Sequence, residues 1–276
     1  MPRDLGDVAD YFLPGAPHRK AGDDTREAPG TEAPAPGGPH NAPQRPAALP
    51  ILSVPIGDRD VVRAAFAWNL VVEIARLGGQ ATLLAPRESE PSPLWPEAGP
   101  GPVGAEVILS DAGSLSELNR AALDIAVSRA ADSADGGVVL VRVPPTWLGA
   151  DARDGRALLR WLLLFSSPEP QDLMETYGLA KRVLAGSERP RLGVTIHGAR
   201  RVAEAEHAFH RVAKASARHL HHDLVSYGLL VDDLHVYRAI VSRRPIGIEH
   251  PQSRAARALR DVARLVLEDA RVLAIA

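Results

Sequence analysis

The residue types best placed to do chemistry sit in one short turn. Gly57, Asp58, Arg59 and Asp60 follow the apolar run Leu52–Ile56. Val61 to Leu77 then carries Val62, Phe66, Leu70, Ile74 and Leu77 at helical spacing, and Gly78-Gly79 stops that helix. Ala81–Ala85 is a second apolar run. A strand, a helix and a second strand imply a right-handed βαβ unit in a parallel sheet. In such a unit the loop before the helix can cradle phosphate, because backbone N–H groups and the positive end of the helix dipole face it. Here the turn has that place, but it offers two carboxylates and an arginine.

Other candidates carry weaker signals. His207 and His210 stand three apart on one helix, and His219, His221 and His222 cluster at its end. No motif of the His-Glu-x-x-His kind accompanies them, so they read as surface histidines. Ser166-Ser167 lacks the Gly-x-Ser-x-Gly elbow and an evident base, which argues against a hydrolase. The absence of cysteine excludes disulfides, thiolate metal sites and a Cys nucleophile, and fits a reducing cytosol. Arg200-Arg201 and Arg243-Arg244 read as solvated charge runs.

The elements that position the turn alternate along the chain. After the Pro/Gly-rich stretch Arg87–Gly104, Ala105–Leu109 reads as a strand. Ser114–Ala131 reads as a helix with Ser114 as N-cap and Glu117 completing a capping box. Gly137–Val143 is a continuous apolar run broken only by Arg142, as in a strand buried on both faces. Ala152–Arg156 is expected to be helical, and Leu158–Phe165 contains the next strand. Gln171–Leu184, Arg200–Arg218, Leu234–Ser242 and Ser253–Val272 read as helices, with strands at Leu192–His197 and Leu224–Leu230. This alternation predicts a doubly wound, mostly parallel α/β sheet.

The expected division is a tail over residues 1–48 and one α/β domain over 49–276. In the tail, Leu5, Val8, Phe12 and Leu13 lie on one helical face with Asp4, Asp7 and Asp10 opposite. That segment reads as a partner-docking peptide or as a frayed terminus. Ala16–Leu49 is dense in Pro, Gly and charge and reads as a disordered linker. A net charge of −2 gives no general attraction to nucleic acid or acidic membrane. No apolar run reaches the roughly 20 residues that span a bilayer. The last helix carries Glu268 and Asp269 where a membrane-docking helix carries cations, so membrane binding is not expected. The expected localisation is cytoplasmic.

Three phrases give the core a family resemblance. Leu52–Leu70 lines up without gaps on a first strand, phosphate loop and helix ending in Asn69-Leu70. Phe165–Arg182, FSSPEPQDLMETYGLAKR, is close to the pattern T-T-P-E-P-x-x-(I/L)-x-D-A-Y-x-L-x-K. Leu192–Val212, Tyr227–Leu230, Ser242–Pro245 and Pro251–Ala256 follow in matching order. From about residue 50 to 272 the chain resembles the MinD/ParA P-loop ATPases, and within them the FlhG-like regulators of flagellar number. The resemblance implies that nucleotide would meet Gly57, Asp58, Arg59, Asp60, Val61, Val62, Arg63, Ala64 and Ala65, the position of the Walker A loop. It puts Arg142 at the position of the Walker B acid.

The family loop is G-K-G-G-x-G-K-(T/S). Against it Gly57 is kept, the early lysine is Asp58, and the next glycines are Arg59, Asp60 and Val62. The last lysine is Arg63 and the Mg²⁺ ligand is Ala64. Carboxylates there repel triphosphate, Val62 is β-branched where backbone must come close, and guanidinium is bulkier than ammonium. The acids expected after the second strand and on the Walker B strand are also absent, leaving Ala85-Pro86-Arg87 and Arg142-Val143. His197-Gly198 replaces the family's Asn-Arg near adenine.

The resemblance so altered implies a bacterial pseudo-ATPase with no cofactor, where relatives use ATP and Mg²⁺. Its role is expected in regulation or scaffolding at a cell pole, flagellum, pilus or division site. Protein partners are expected, as a homodimer or paired with an intact family member, with no specific nucleic acid. The alternatives are a divergent active ATPase switch and a sensor of another anion held by Arg59, Arg63, Arg87 and Arg142. Against the sensor stands the pairing of Asp58 and Asp60 with those arginines.

Overall fold

A computed structural model describes residues 47–87, 94, 96–131, 133, 136–149, 155–187 and 189–275. The segment with Leu5, Val8, Phe12 and Leu13, nearly all of the expected linker, and most of the helix expected over 152–156 lie outside the described residues.

The strands form where apolar runs can be buried on both faces. They are β1 (Ile51–Pro55), β2 (Gln80–Pro86), β3 (Gly99–Pro100), β4 (Glu106–Ser110) and β5 (Gly137–Val143). They continue with β6 (Trp161–Ser166), β7 (Arg191–Ala199) and β8 (Val225–Val231). Every residue of β1, β5 and β6 is buried, as expected of central parallel strands covered by helices. Among the described residues one eight-stranded sheet runs β3-β4-β2-β5-β1-β6-β7-β8. All neighbours are parallel except β3 and β4. The fold is the expected doubly wound, mostly parallel α/β sheet.

The long helices are α1 (Val61–Arg76), α2 (Leu115–Ala130), α3 (Pro170–Gly186), α4 (Val202–Leu220) and α7 (Arg254–Ile275). Two shorter ones, α5 (Leu234–Ser242) and α6 (Ile246–Glu249), lie between β8 and α7. Helices α1 and α7 pack together on one face of the sheet, while α2, α3 and α4 cover the other. Ser114 caps α2, accepting from the Glu117 N–H at 3.3 Å. The Glu117 carboxylate reaches back to the Gly113 N–H at 2.7 Å, one residue before the cap it was expected to serve. The strand β3 and the helix α6 were not expected from the sequence.

Polar side chains fix the helices at both levels of the sheet. Asn69 on α1 donates to Ala65 O and accepts from the Ile246 N–H, each at 2.7 Å, which ties α6 to α1. At the amino ends of the strands, Trp161 Nε1 donates to the Tyr227 hydroxyl at 3.0 Å, and that hydroxyl donates to Asp269 on α7. Arg191 completes the group with an ion pair to Asp269 at 2.7 Å. Burial raises the Tyr227 pKa above its ordinary value, so the phenol stays protonated and donates. Gly193 makes room for that ring: a Cβ there would meet a Tyr227 ring carbon at 2.2 Å.

Candidate functional site

The topology marks one crevice. Strands β1 and β6 are neighbours, yet the helix after β1 lies on one face and the helix after β6 on the other. Between two such loops, at the carboxyl ends of the strands, ligands bind in open α/β sheets. The loops are Ile56–Asp60 and Ser167–Glu169.

The first loop turns its donors inward. Asp60 N–H donates to Gly57 O and Val61 N–H to Arg59 O, both at 3.1 Å. Asp60 is the N-cap of α1, and its Oδ1 accepts from the Arg63 N–H at 2.9 Å. A carboxylate of this chain therefore occupies the position where an anion meets a helix N-terminus.

Arg63 then closes the crevice. Its side chain is 8% exposed and faces three carboxylates. Nε lies 3.2 Å from Asp60 Oδ2, Nη2 lies 3.5 Å from Asp172 Oδ2, and Nη1 donates to Glu175 Oε2 at 3.0 Å. Asp172 and Glu175 belong to the first turns of α3, so the guanidinium spans from the helix after β1 to the helix after β6. Arg142, buried in β5, sits opposite Val54 of β1. That register brings its Nε to Ile56 O at 3.2 Å and its Nη2 to Asp58 Oδ1 at 2.5 Å.

Behind Arg63, at the end of β7, lies His197. Its ring is 5.4 Å from that of Phe66, and Nε2 is buried with no hydrogen-bond partner. Burial, and secondly the Arg63 charge, push its pKa down to about 4, against an opposing pull from Asp172. It is therefore a neutral imidazole at neutral pH. Ser166 Oγ is likewise buried without a partner, and Ser167 Oγ accepts from the Glu169 N–H at 3.2 Å.

Gly57 to Arg63 form the loop and the first turn of α1 at the crevice, and Arg142 reaches them from β5, whereas Ala64 lines the cavity beside Arg142 and Ala65 a separate one with Trp68 and Asn69. The four arginines do not converge. Arg59 is exposed, and Arg87, which lines one cavity with Arg142, pairs with Asp111 at 2.7 Å. Beside Arg142, between α1 and the β2–β4 side of the sheet, lies a cavity of about 180 Å³ lined mainly by Ala64, Ala67, Leu83 and Leu109. Arg63 is not part of its wall. The residues that sequence reasoning missed are Asp172 and Glu175. Their only signal was a pair of acids three apart after the S-S-P-E-P phrase. Among the described residues no group of three His, Asp or Glu side chains is placed to hold a metal ion. His210 Nδ1 instead meets Glu206 O at 2.8 Å on its own helix.

This architecture is the MinD/ParA ATPase fold. The chain is similar to MinD of Aquifex aeolicus in its complex with MinC, with a TM-score of 0.56 and 12% identity over 79% of this chain and 96% of that one. It is similar to the septum site-determining protein MinD of Pyrococcus horikoshii complexed with Mg-ADP, with a TM-score of 0.55, 14% identity, and coverage of 79% and 95%. A ParA family ATPase of Chlorobium tepidum gives a TM-score of 0.54 and 12% identity, covering 79% and 98%. At such identities the likeness is one of fold. No protein-family model matches the sequence, and no curated protein matches it. Among the described residues no helix is long and apolar enough to cross a membrane.

Proposed function

We propose that this chain is a catalytically degenerate MinD/ParA-like protein that acts as a regulatory or scaffold partner. The setting is the organisation of a cell pole, a flagellum or pilus, or a division site, and the FlhG-like resemblance of the sequence favours the flagellar one. The observation that carries the reading is the filling of the nucleotide crevice by the chain's own ion pairs. Asp60 takes the anion position on α1, and Arg63 is held by Asp60, Asp172 and Glu175. Mg²⁺-ATP does not fit these residues. A triphosphate would face the carboxylates of Asp58 and Asp60 at close range, and Ala64 has no oxygen to offer a magnesium ion. Admitting phosphate would also mean separating a buried guanidinium from its carboxylates.

Partners on this reading are proteins: a second copy, or an intact relative, joined without ATP bridging the interface. The sensor reading requires an open pocket lined by Arg63 and Arg142 with Asp58 turned away. Asp58 is instead on Arg142, so that reading has no support of its own. A phosphate-release assay tests the proposal. The full chain with Mg²⁺ and ATP is expected to give background turnover, unchanged by Arg63→Ala. Turnover above background that Arg63→Ala abolishes would establish a divergent active ATPase instead.

A further inference from the structure

The amino edge of the sheet, opposite the crevice, holds a groove of about 530 Å³, the size of a site for a small organic molecule. One wall is apolar, with Ile51 from β1, Leu123 from α2 and Leu273 from α7, and Leu123 is 41% exposed. The other wall carries Arg160, Arg189 and Arg191. The topology gathers those three. Strands β6 and β7 are parallel neighbours with Trp161 opposite Arg191, and the Arg191 N–H donates to Arg160 O at 2.7 Å. Two strands about 4.8 Å apart therefore each begin with an arginine at or just before the first residue.

The charges of this wall are not balanced. Arg191 Nη2 pairs with Asp269 at 2.7 Å, while its Nε is buried with no hydrogen-bond partner. Arg160 and Arg189 are exposed, and among the described residues neither forms an ion pair. Other grooves differ in how far their arginines are committed. In the cavity beside the crevice, Arg87 is held by Asp111 and Arg142 by Asp58. Beside Trp68, Arg243 is held by Glu97 and Arg244 by Glu249. The groove between α3 and α4 has Arg211 as its single arginine. Arg238 is exposed beside the apolar stripe of Leu234, Tyr237 and Val241, but that stripe lies along one helix, α5.

We propose that the amino-edge groove binds a small amphiphilic carboxylate, with its apolar body on Leu123 and Leu273 and its head group at Arg160 and Arg189. A guanidinium matches a carboxylate through two parallel hydrogen bonds, and Arg191 already holds the carboxylate of Asp269 at this edge. The apolar body is required. A bare anion gains little from solvated guanidinium groups, and it leaves the apolar wall in water. Bound there, the ligand joins the strand starts to α2 and to the end of α7, and so stabilises the folded chain. The proposal stands independently of whether nucleotide enters the crevice.

Calorimetric titration of the full chain with octanoate tests it. Saturable binding is expected, with acetate, octanol and octylammonium each weaker by about tenfold or more. These comparisons need no variant. Arg160→Ala with Arg189→Ala removes two exposed side chains and should weaken octanoate about tenfold or more, and Leu123→Ser should weaken it about threefold. Arg211→Ala, in the α3–α4 groove, should leave the affinity unchanged. Urea unfolding without ligand shows that each variant is folded. No saturable binding of octanoate, equal binding of octanol or octylammonium, undiminished binding by the double arginine variant, or loss of binding on Arg211→Ala would each overturn the proposal.

Discussion

The two edges of the sheet both pair an arginine with a carboxylate, and they bury opposite partners: at the amino edge Asp269 is 6% exposed and Arg191 33%. There Tyr227 and Arg191 both reach Asp269, and Trp161 donates to the Tyr227 hydroxyl behind it. Its hydrogen-bond donor Tyr227 is part of the core. At the carboxyl edge the arginines are buried and their acids are not. Asp60 and Asp172 are each 29% exposed, Glu175 is 43% and Asp58 is 68% exposed, against 8% and 3% for Arg63 and Arg142. Water screens those acids, so each pair holds loosely while the guanidinium still needs a counter-charge. The amino edge is a lock. At the carboxyl edge the chain's own carboxylates face the buried guanidinium groups.

The largest expected effect strikes the lock. Gly193→Val would drive a side chain into the Tyr227 ring, where a Cβ has only 2.2 Å. A loss on the order of 4 kcal/mol is expected in urea unfolding. A wild-type midpoint would show that the ring is not confined.

His197 gives the next effect, and it is pH-dependent. Its pKa near 4 lies below the ordinary 6.5. The unfolded chain therefore takes up a proton near pH 6.5 that the folded chain refuses until about pH 4. Folding stability should be complete above pH 6.5 and fall by roughly 3 kcal/mol as pH drops through that window. His197→Phe removes the titrating group among aromatic neighbours and should flatten this limb of the profile. An unchanged slope would separate acid sensitivity from His197.

How much of this could be read in advance depended on range. The strands and long helices announce themselves locally, because Gly137–Val143 has no room for a polar face and α1 repeats apolar residues every three to four positions. The two-residue β3 and four-residue α6 are too short to show any period, so tertiary contacts decide them. The turn from Gly57 to Asp60 and the helix after it were legible because they are contiguous. The acids that complete it were not: Glu175 meets Arg63 across 112 positions of sequence, and no local pattern marks such a partner. The Tyr227–Asp269 contact failed to show for the same reason.

Two smaller effects sharpen the contrast. Asp172→Asn with Glu175→Gln should cost about 1 kcal/mol and leave Arg63 with Asp60 alone. Inorganic phosphate should then raise the melting temperature by about 3 °C, a response absent from the wild type. No phosphate response in that variant would mean that the acids do not stand in for an external anion. Arg87→Ala breaks the surface pair with Asp111 and should change stability by less than about 0.5 kcal/mol, since both partners are solvated. A larger loss would place Arg87 among the supports of the crevice.

The central claim is that the nucleotide crevice is filled from within. Equilibrium binding of labelled ATP with Mg²⁺ to the full chain measures it directly. The account predicts no saturable binding up to about millimolar ATP, an interaction weaker than about 4 kcal/mol. Micromolar, saturable affinity would contradict it.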